Sequence, residues 1–456
     1  MSQITLRQAA DWCGGRVDPQ FEQVLFLGAT NDTRTLVPGQ LFVALEGVRD
    51  GHDFLAAAFQ KGAAAALCKH CDERYPAIIV DDPRIALGRI AAAERQRIGM
   101  KVVGVTGSVG KSTTKEMIAT VLDGDFIVSK TPANFNNDLG MPMSILAMPK
   151  DTEVAVLEMG MSHFGEISYL THIARPDVAV IINVGVMHME NLGSREGVLQ
   201  AKLEILEGLD AKGSAFFCGD NDMLRACDAG RPVTYFGTDR DVCAVCGSDI
   251  REENGILSFT VSADGTSFAV GLPLEGQHYV CDALAAVAVG LSMGVSPVRI
   301  QERLANFRNM AGRQEIFTAK GCTIIKDCYN AGPESMAAAL AVLGRRGGKR
   351  IAVLGDMLEL GEQTLPAHVQ TGALAAKNAD ILLSYGPHAG VVVSAAKEAG
   401  LEQAEAFDDR DAMANALKKL ARPGDTLLFK GSHGMHMELV LERFLKEDTD
   451  TEDAPC

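Results

Sequence analysis

Several features are scarce or missing in this 456-residue chain, and each absence closes off a class of function. It has no surplus of basic residues. Its 43 Lys and Arg face 59 Asp and Glu, a formal net charge of −16. That argues against broad nucleic-acid binding. It leaves room for small anionic ligands, which need only local cations and backbone donors. No apolar run is long enough to span a bilayer; the longest, such as DVAVIINVGVM (177–187), are short or interrupted. The opening MSQITLRQAADW lacks the basic segment and apolar core of a signal peptide. The expectation is a cytoplasmic protein without membrane insertion. There is no disulfide framework, because the 11 Cys are odd in number and scattered. Two C-x-x-C pairs, Cys68/Cys71 and Cys243/Cys246, lie far apart and read as reduced thiols at element ends rather than one zinc site. No internal repeat or low-complexity linker is visible, and the acidic tail KEDTDTEDAPC (446–456) reads as solvated or disordered.

What is present is a long chain with 47% hydrophobic residues, enough for soluble cores and for about three domains. Residues 1–98 mix short strands (VLFLGATNDTR, QLFVALEG, PAIIVDD) with helices, and DFLAAAFQKGAAAAL and the run GAAAALCKHC read as helical. From 99 to 312, apolar strands alternate with helices, which predicts a parallel sheet covered on both faces. REENGILSFTVSADGTSFAV (251–270) instead alternates with turn glycines and predicts an antiparallel hairpin. From 313 to 456, CTIIKDCYN, KRIAVLGDMLEL, DILLSYG and DTLLFKGSHG are strands between helices, a second, Rossmann-like α/β unit.

The central block opens on VVGVTGSVGKSTTKE (102–116): apolar strand, Gly-rich turn, helix. That is the context of a P-loop, in which backbone N–H groups and a helix N-terminus hold phosphate oxygens, the lysine reaches the outer phosphates and the next hydroxyl holds Mg²⁺. The plain G-x-x-x-x-G-K-[ST] pattern wants glycine where this chain has Val105; the match is to G-x-T-G-S-x-G-K-S instead. By itself the motif allows a kinase, an ATPase, a switch protein or a ligase. Glu158 ends the apolar strand EVAVLEMG, and His188 follows the strand DVAVIINVGVMH. Both fall at the carboxyl ends of strands, where open α/β sheets bind ligands. A buried terminal carboxylate needs a partner, and a carboxylate with an imidazole beside a nucleotide suits Mg²⁺. By spacing alone, Lys202 in LQAKLEIL reads as a surface lysine on a helix. TPANFNNDLGMP (131–142) is an Asn-rich loop able to meet a sugar or peptide.

Four segments together resemble the Mur ligases, the ATP-dependent amide-forming enzymes of bacterial cell-wall synthesis. They are G-x-T-G-S-x-G-K-S (104–112), T-x-x-N-F-N-N-x-x-G-x-P (131–142), E-M-G-x-S-x-x-G-E-I (158–167), and N-V-G-x-x-H (183–188) followed by A-K-x-E (201–204). The resemblance covers nearly the whole chain. NDTRTLVPGQLFVALEGVRDGHDF (31–54) is similar to the segment that binds the UDP end of the substrate. KDCYNAGPESM, AVLGDMLELG and KGSHGMHME are similar to the member that adds D-alanyl-D-alanine. The chain departs from the pattern at Tyr279 and Asp282 after His278, at Lys326 before Asp327, and at His433 after KGS.

The resemblance implies three domains: 1–98 for the UDP-linked substrate, 99–312 as the central P-loop ATPase domain, and 313–456 for the incoming dipeptide. It implies ATP and Mg²⁺ as cofactors. Thr106, Gly107, Ser108, Gly110, Lys111, Ser112, Thr113, Arg313 and Asp327 would meet the nucleotide. Ser112, Glu158, His188 and Lys202 would hold metal. Lys111, Lys202, His188 and Glu158 would be catalytic, with Lys202 carried as a CO₂-derived carbamate, which reverses its reading as a surface residue. Thr33, Arg34, Asn134, Asn136, Asn137, Asn330, Lys430 and Ser432 would touch substrates. The implied reaction joins D-alanyl-D-alanine to UDP-N-acetylmuramoyl-tripeptide through an acyl phosphate, in a cytoplasmic monomer whose partners are small molecules. The alternatives are a sister ligase adding one amino acid and a P-loop ATPase or switch.

Overall fold

The computed structural model describes residues 3–446. The acidic tail lies outside the described residues from 447 onward. Besides a two-stranded antiparallel pair, Ile4–Thr5 with Leu25–Phe26, three larger sheets follow one another along the described residues.

The first has five strands in the order Arg16–Val17, Ala77–Ile79, Ala65–Cys68, Leu41–Val43, Ala29–Thr30, parallel except at the first pair. Here one expectation is corrected. The Ala-rich run reads as helix, but the helix Leu55–Gln60 stops early and Ala65–Cys68 is a fully buried strand in the middle of the sheet. Gly62, at φ +94°, breaks the helix where an L side chain would be strained. Small apolar residues then fill a strand covered on both faces, a pattern that periodicity cannot separate from a buried helix.

The helix Pro83–Ile98 leads into the central block. Asp82 caps it by accepting from the Arg84 and Ile85 amides, and Gly99 ends it at φ +74°. Its buried residues Leu87, Ile90 and Ala91 share one core with the central sheet. Gly88 lets it lie against Tyr169, whose hydroxyl would sit 2.1 Å from any added Cβ.

The central sheet has nine strands. Lys101–Thr106 is flanked on one side by Val154–Glu158 and then Val128–Lys130, and on the other by Val178–Ile181, Ser214–Cys218, Val233–Gly237 and Val245–Glu253, all parallel. Ile256–Ala263 and Thr266–Leu272 complete it antiparallel, as the alternating pattern there implies. From Lys101–Thr106 the chain crosses to Val128–Lys130 at one edge, and from its neighbour Val154–Glu158 it crosses back to Val178–Ile181 on the other side, so the crevice beyond the carboxyl ends of these strands is a topological switch point.

The third sheet has the order Glu315–Ala319, Cys322–Asp327, Thr426–Lys430, Arg350–Gly355, Ile381–Tyr385, Ala404–Phe407, parallel except at its first edge. Separate hydrophobic clusters cover its two faces. No helix of the described residues is long and apolar enough to cross a membrane.

Candidate functional site

The strand Lys101–Thr106 buries Val102, Val103 and Val105, and the helix Lys111–Leu122 begins five residues later. Val105 sits inside the strand, so it tolerates the side chain; the tight loop starts only at Gly107. Gly110 stands at φ +85°, and an added Cβ would lie 2.6 Å from Asp282 Oδ1. Asn183, just past the strand Val178–Ile181, braces the loop. Its Oδ1 accepts from the Ser108 and Val109 amides (2.9 and 3.0 Å), and its Nδ2 donates to Val109 O (2.9 Å). The Gly185 amide adds a bond to Ser108 Oγ (2.9 Å). Lys111 Nζ donates to the carbonyls of Gly107 (2.8 Å) and Ser108 (3.2 Å), and burial lowers its pKa. Thr106 is fully buried and its Oγ1 is spent on Met159 O (2.9 Å), so only its backbone faces the loop.

Beside the loop lies a buried carboxylate. Glu158, 2% exposed, takes Ser112 Oγ on Oε2 (2.7 Å) and Asn136 Nδ2 on Oε1 (2.8 Å). Lys115 Nζ stands 3.9 Å from Oε2 and donates to Thr131 O (2.6 Å). Arg313, from the other side of the cleft, donates through Nη2 to Ser112 Oγ (2.8 Å) and stacks 4.0 Å over the Tyr329 ring. His188 has a left-handed backbone (φ +63°), and its Nδ1 is buried without a hydrogen bond although Glu359 Oε2 is 3.2 Å away. Burial, then the charges of Lys111 and Lys202, push His188 down to about 4, so its imidazole is neutral at neutral pH. Lys202 is not a surface residue. It is 2% exposed, and burial followed by the Lys111 charge drives its ammonium well below the ordinary lysine range. Ser112 Oγ and Glu158 are the oxygen donors a hard divalent cation takes, and the orphaned, neutral His188 Nδ1 adds a nitrogen. These residues fit a Mg²⁺ site.

The C-terminal unit closes the far wall. Lys430, 2% exposed at the end of its strand, pairs with Asp327 Oδ2 (2.6 Å) and donates to Asn330 O (3.0 Å). Glu334 Oε1 accepts from the Val186 amide (3.3 Å) and ties this unit to the loop that carries His188. Ser432 Oγ accepts from the Leu358 amide (2.9 Å).

The phosphate loop, the Glu158 group and the Asp327–Lys430 pair line one cleft of about 1130 Å³; Thr106, Gly107 and Lys202 are not among its lining residues. It brings together Ser108, Gly110, Lys111, Ser112, Thr113, Asn136, Asn137, Glu158, His188, Arg313, Asp327, Asn330 and Lys430. Asn134 and Ser432 line a smaller adjoining cavity of about 220 Å³, which shares Tyr329, Asn330 and Met187 with the large one. Thr33 and Arg34 line neither; Arg34 is exposed and chelated by Asp32, whose carboxyl it holds down to about 2. Sequence reasoning missed Asn183, Glu334, Tyr169 and the Arg84–Asp138 pair at the cleft. Asn183 stands in the N-V-G-x-x-H segment; nothing in the local pattern marks Glu334 or Tyr169.

Residues 105–290 match the Mur ligase middle domain, and residues 312–433 match the Mur ligase, glutamate ligase domain. The chain is 38% identical to the UDP-N-acetylmuramoyl-tripeptide–D-alanyl-D-alanine ligase of Bacillus subtilis, covering 98% of this chain and 99% of that one. It is 37% identical to the Escherichia coli enzyme of the same name, over the same shares of each. Among solved structures, MurF from Acinetobacter baumannii superposes with a TM-score of 0.89 at 31% identity, covering 98% of this chain and 100% of that one. MurF ligase from Thermotoga maritima in complex with ADP gives 0.80 at 31% identity, covering 92% of this chain and 97% of that one.

Proposed function

The chain belongs to the Mur ligase family, and on that premise we propose that it joins D-alanyl-D-alanine to UDP-N-acetylmuramoyl-tripeptide with ATP. It is an ADP-forming peptide ligase of peptidoglycan precursor synthesis, giving UDP-N-acetylmuramoyl-pentapeptide, ADP and phosphate. The observation that carries this reading is the single cleft in which a braced phosphate loop, the buried Glu158–Ser112–Arg313 chain and the Asp327–Lys430 pair face one another.

A carboxylate is a poor acylating agent because oxide is a poor leaving group. Phosphorylating the terminal carboxylate of the tripeptide supplies a good one, and the amine of D-alanyl-D-alanine then displaces phosphate. The chain's part is mostly positioning and charge. Loop amides of Ser108 to Gly110, the helix N-terminus and Lys111 hold the phosphates. Arg313 reaches across from the C-terminal unit and, with its ring partner Tyr329, aligns the nucleotide with the carboxylate that accepts its phosphoryl group. Ser112 and Glu158, with His188 in the same cleft, would hold magnesium, which would supply positive charge against the phosphates. Lys202 would carry a carbamate: CO₂ adds to an unprotonated amine, burial favours that form of this side chain, and the resulting anion would be a further metal ligand. Asn136, Asn137, Asn330, Lys430 and, in the adjoining cavity, Asn134 and Ser432 contact the peptide ends of the substrates. Thr33 and Arg34 serve the UDP end. The domains run 1–98, 99–312 and 313–456, and the enzyme works as a cytoplasmic monomer.

Isotope transfer tests this chemistry. With ¹⁸O in the terminal carboxylate of the tripeptide, one labelled oxygen appears in the released phosphate. Release of phosphate with all label retained in the peptide product refutes the acyl-phosphate route.

A further inference from the structure

A second group of chemistry-bearing side chains lies in the wall of the main cleft. Cys218 ends the buried strand Ser214–Cys218, Asp220 follows it in the next loop, and Cys281 sits in the first turn of the helix Tyr279–Ser292. The two sulfurs and one carboxylate oxygen all lie within 4.8 Å of one another. Asp220 is fixed from behind. The Thr238 amide donates to Oδ1 (2.8 Å) and Oδ2 (3.0 Å), Thr238 Oγ1 to Oδ2 (3.0 Å), and the Asp239 amide to Oδ1 (3.3 Å). Cys281 Sγ donates to the same Oδ2 from the cleft side (3.4 Å). Gly237 makes room for this arrangement, since an added Cβ would stand 2.5 Å from Asp220 Oδ1.

The donor set is two sulfurs and an oxygen, and its carboxylate is already oriented by outer hydrogen bonds. Both features belong to sites for thiophilic cations rather than for magnesium. We propose that Cys218, Cys281 and Asp220 form a binding site for a thiophilic divalent cation of the zinc class in the wall of the main cleft. Binding releases the two thiol protons and forms two metal–sulfur bonds and one metal–oxygen bond. The fourth position opens on the cleft and takes water. The cation replaces the Cys281–Asp220 hydrogen bond and ties the first turn of the helix to the end of the strand.

The test is titration of the reduced full-length chain with Cd²⁺, followed by the ultraviolet charge-transfer band of cadmium–thiolate bonds. We expect saturation at one equivalent with the intensity of two thiolates, displacement by Zn²⁺, and indifference to millimolar Mg²⁺. Cys281→Ser, at a half-buried position, abolishes the two-thiolate band. Asp220→Asn, at an exposed one, weakens binding by more than the roughly 10–100-fold that loss of an outer-shell partner costs. The rival dithiols are Cys68/Cys71 and Cys243/Cys246, and neither Cys68→Ser/Cys71→Ser nor Cys243→Ser/Cys246→Ser removes the band. A band that survives Cys281→Ser, one that vanishes with either of those double changes, or the lack of any saturable band overturns the proposal.

Discussion

Asn183 gives the sharpest test of how the phosphate loop is held. Its side chain makes three hydrogen bonds to loop backbone: two accepted from the amides of Ser108 and Val109, one donated to Val109 O. Asn183→Ala removes all three and leaves the loop groups to water, because the position is only half-buried. A typical intramolecular hydrogen bond contributes about 0.5–1.5 kcal/mol net. Partial solvation puts the sum near the lower half, about 2–3 kcal/mol for the ordered loop. That energy must then come from nucleotide binding, so KM for ATP rises roughly 30–150-fold. Once the phosphates have ordered the loop, kcat changes little. The assay is phosphate release across an ATP titration with both other substrates saturating. A KM for ATP within threefold of the parent would refute the reasoning, and so would a loss confined to kcat.

The remaining predictions concern single residues. Asp282 is fully enclosed, and burial raises its carboxyl from 3.8 to about 7. The folded chain therefore keeps a proton between roughly pH 4 and 7 that the unfolded chain has lost, and this residue's contribution to stability declines as pH rises through that window. Asp282→Asn does not titrate, so its stability gain over the parent grows from near zero at pH 4 toward an upper bound of ~4 kcal/mol at pH 8; denaturant midpoints across pH check this, and a flat difference contradicts it. Lys430→Met strands Asp327 in the cleft wall and costs about 2–3 kcal/mol, discounted from the ~3–5 of a fully buried pair; adding Asp327→Asn recovers part of it, and a double change no better than the single one would count against the pairing. Lys202→Met keeps length and volume, so stability moves by less than ~1.5 kcal/mol, while turnover falls about 100-fold or more, the scale of losing one placed charge. Labelled bicarbonate gives a carbamate carbon resonance in the parent that the variant lacks; the same resonance in both would exclude Lys202 as its site.

The fold was legible where apolar strands alternate with amphipathic helices, which is why both larger sheets and the antiparallel edge at 245–272 follow from the pattern. It was illegible at Ala65–Cys68, where small residues packed on both faces carry no period. In the site, the glycine-rich loop and Glu158 announced themselves, because a tight turn demands glycine and a buried strand end leaves a charge needing partners. Lys202 did not. Its depth comes from tertiary packing of a short helix, and only resemblance to a family pointed to it. Asn183 was hidden for a similar reason: an asparagine after a strand reads as a turn residue until its amide is seen spanning to a loop some 75 residues earlier in the chain. Glu334 reaches the site from a helix of the other unit, a contact no local pattern encodes.

The central claim is that ATP cleavage here is coupled to joining two substrates. The most direct measurement is phosphate release from Mg-ATP with UDP-N-acetylmuramoyl-tripeptide and D-alanyl-D-alanine added separately and together, with mass analysis of the product. The account predicts sustained release only with both present, matched mole for mole by UDP-N-acetylmuramoyl-pentapeptide. Release indifferent to both substrates would mark a P-loop ATPase or switch, and release supported equally by a single amino acid would mark a sister ligase; either would contradict it.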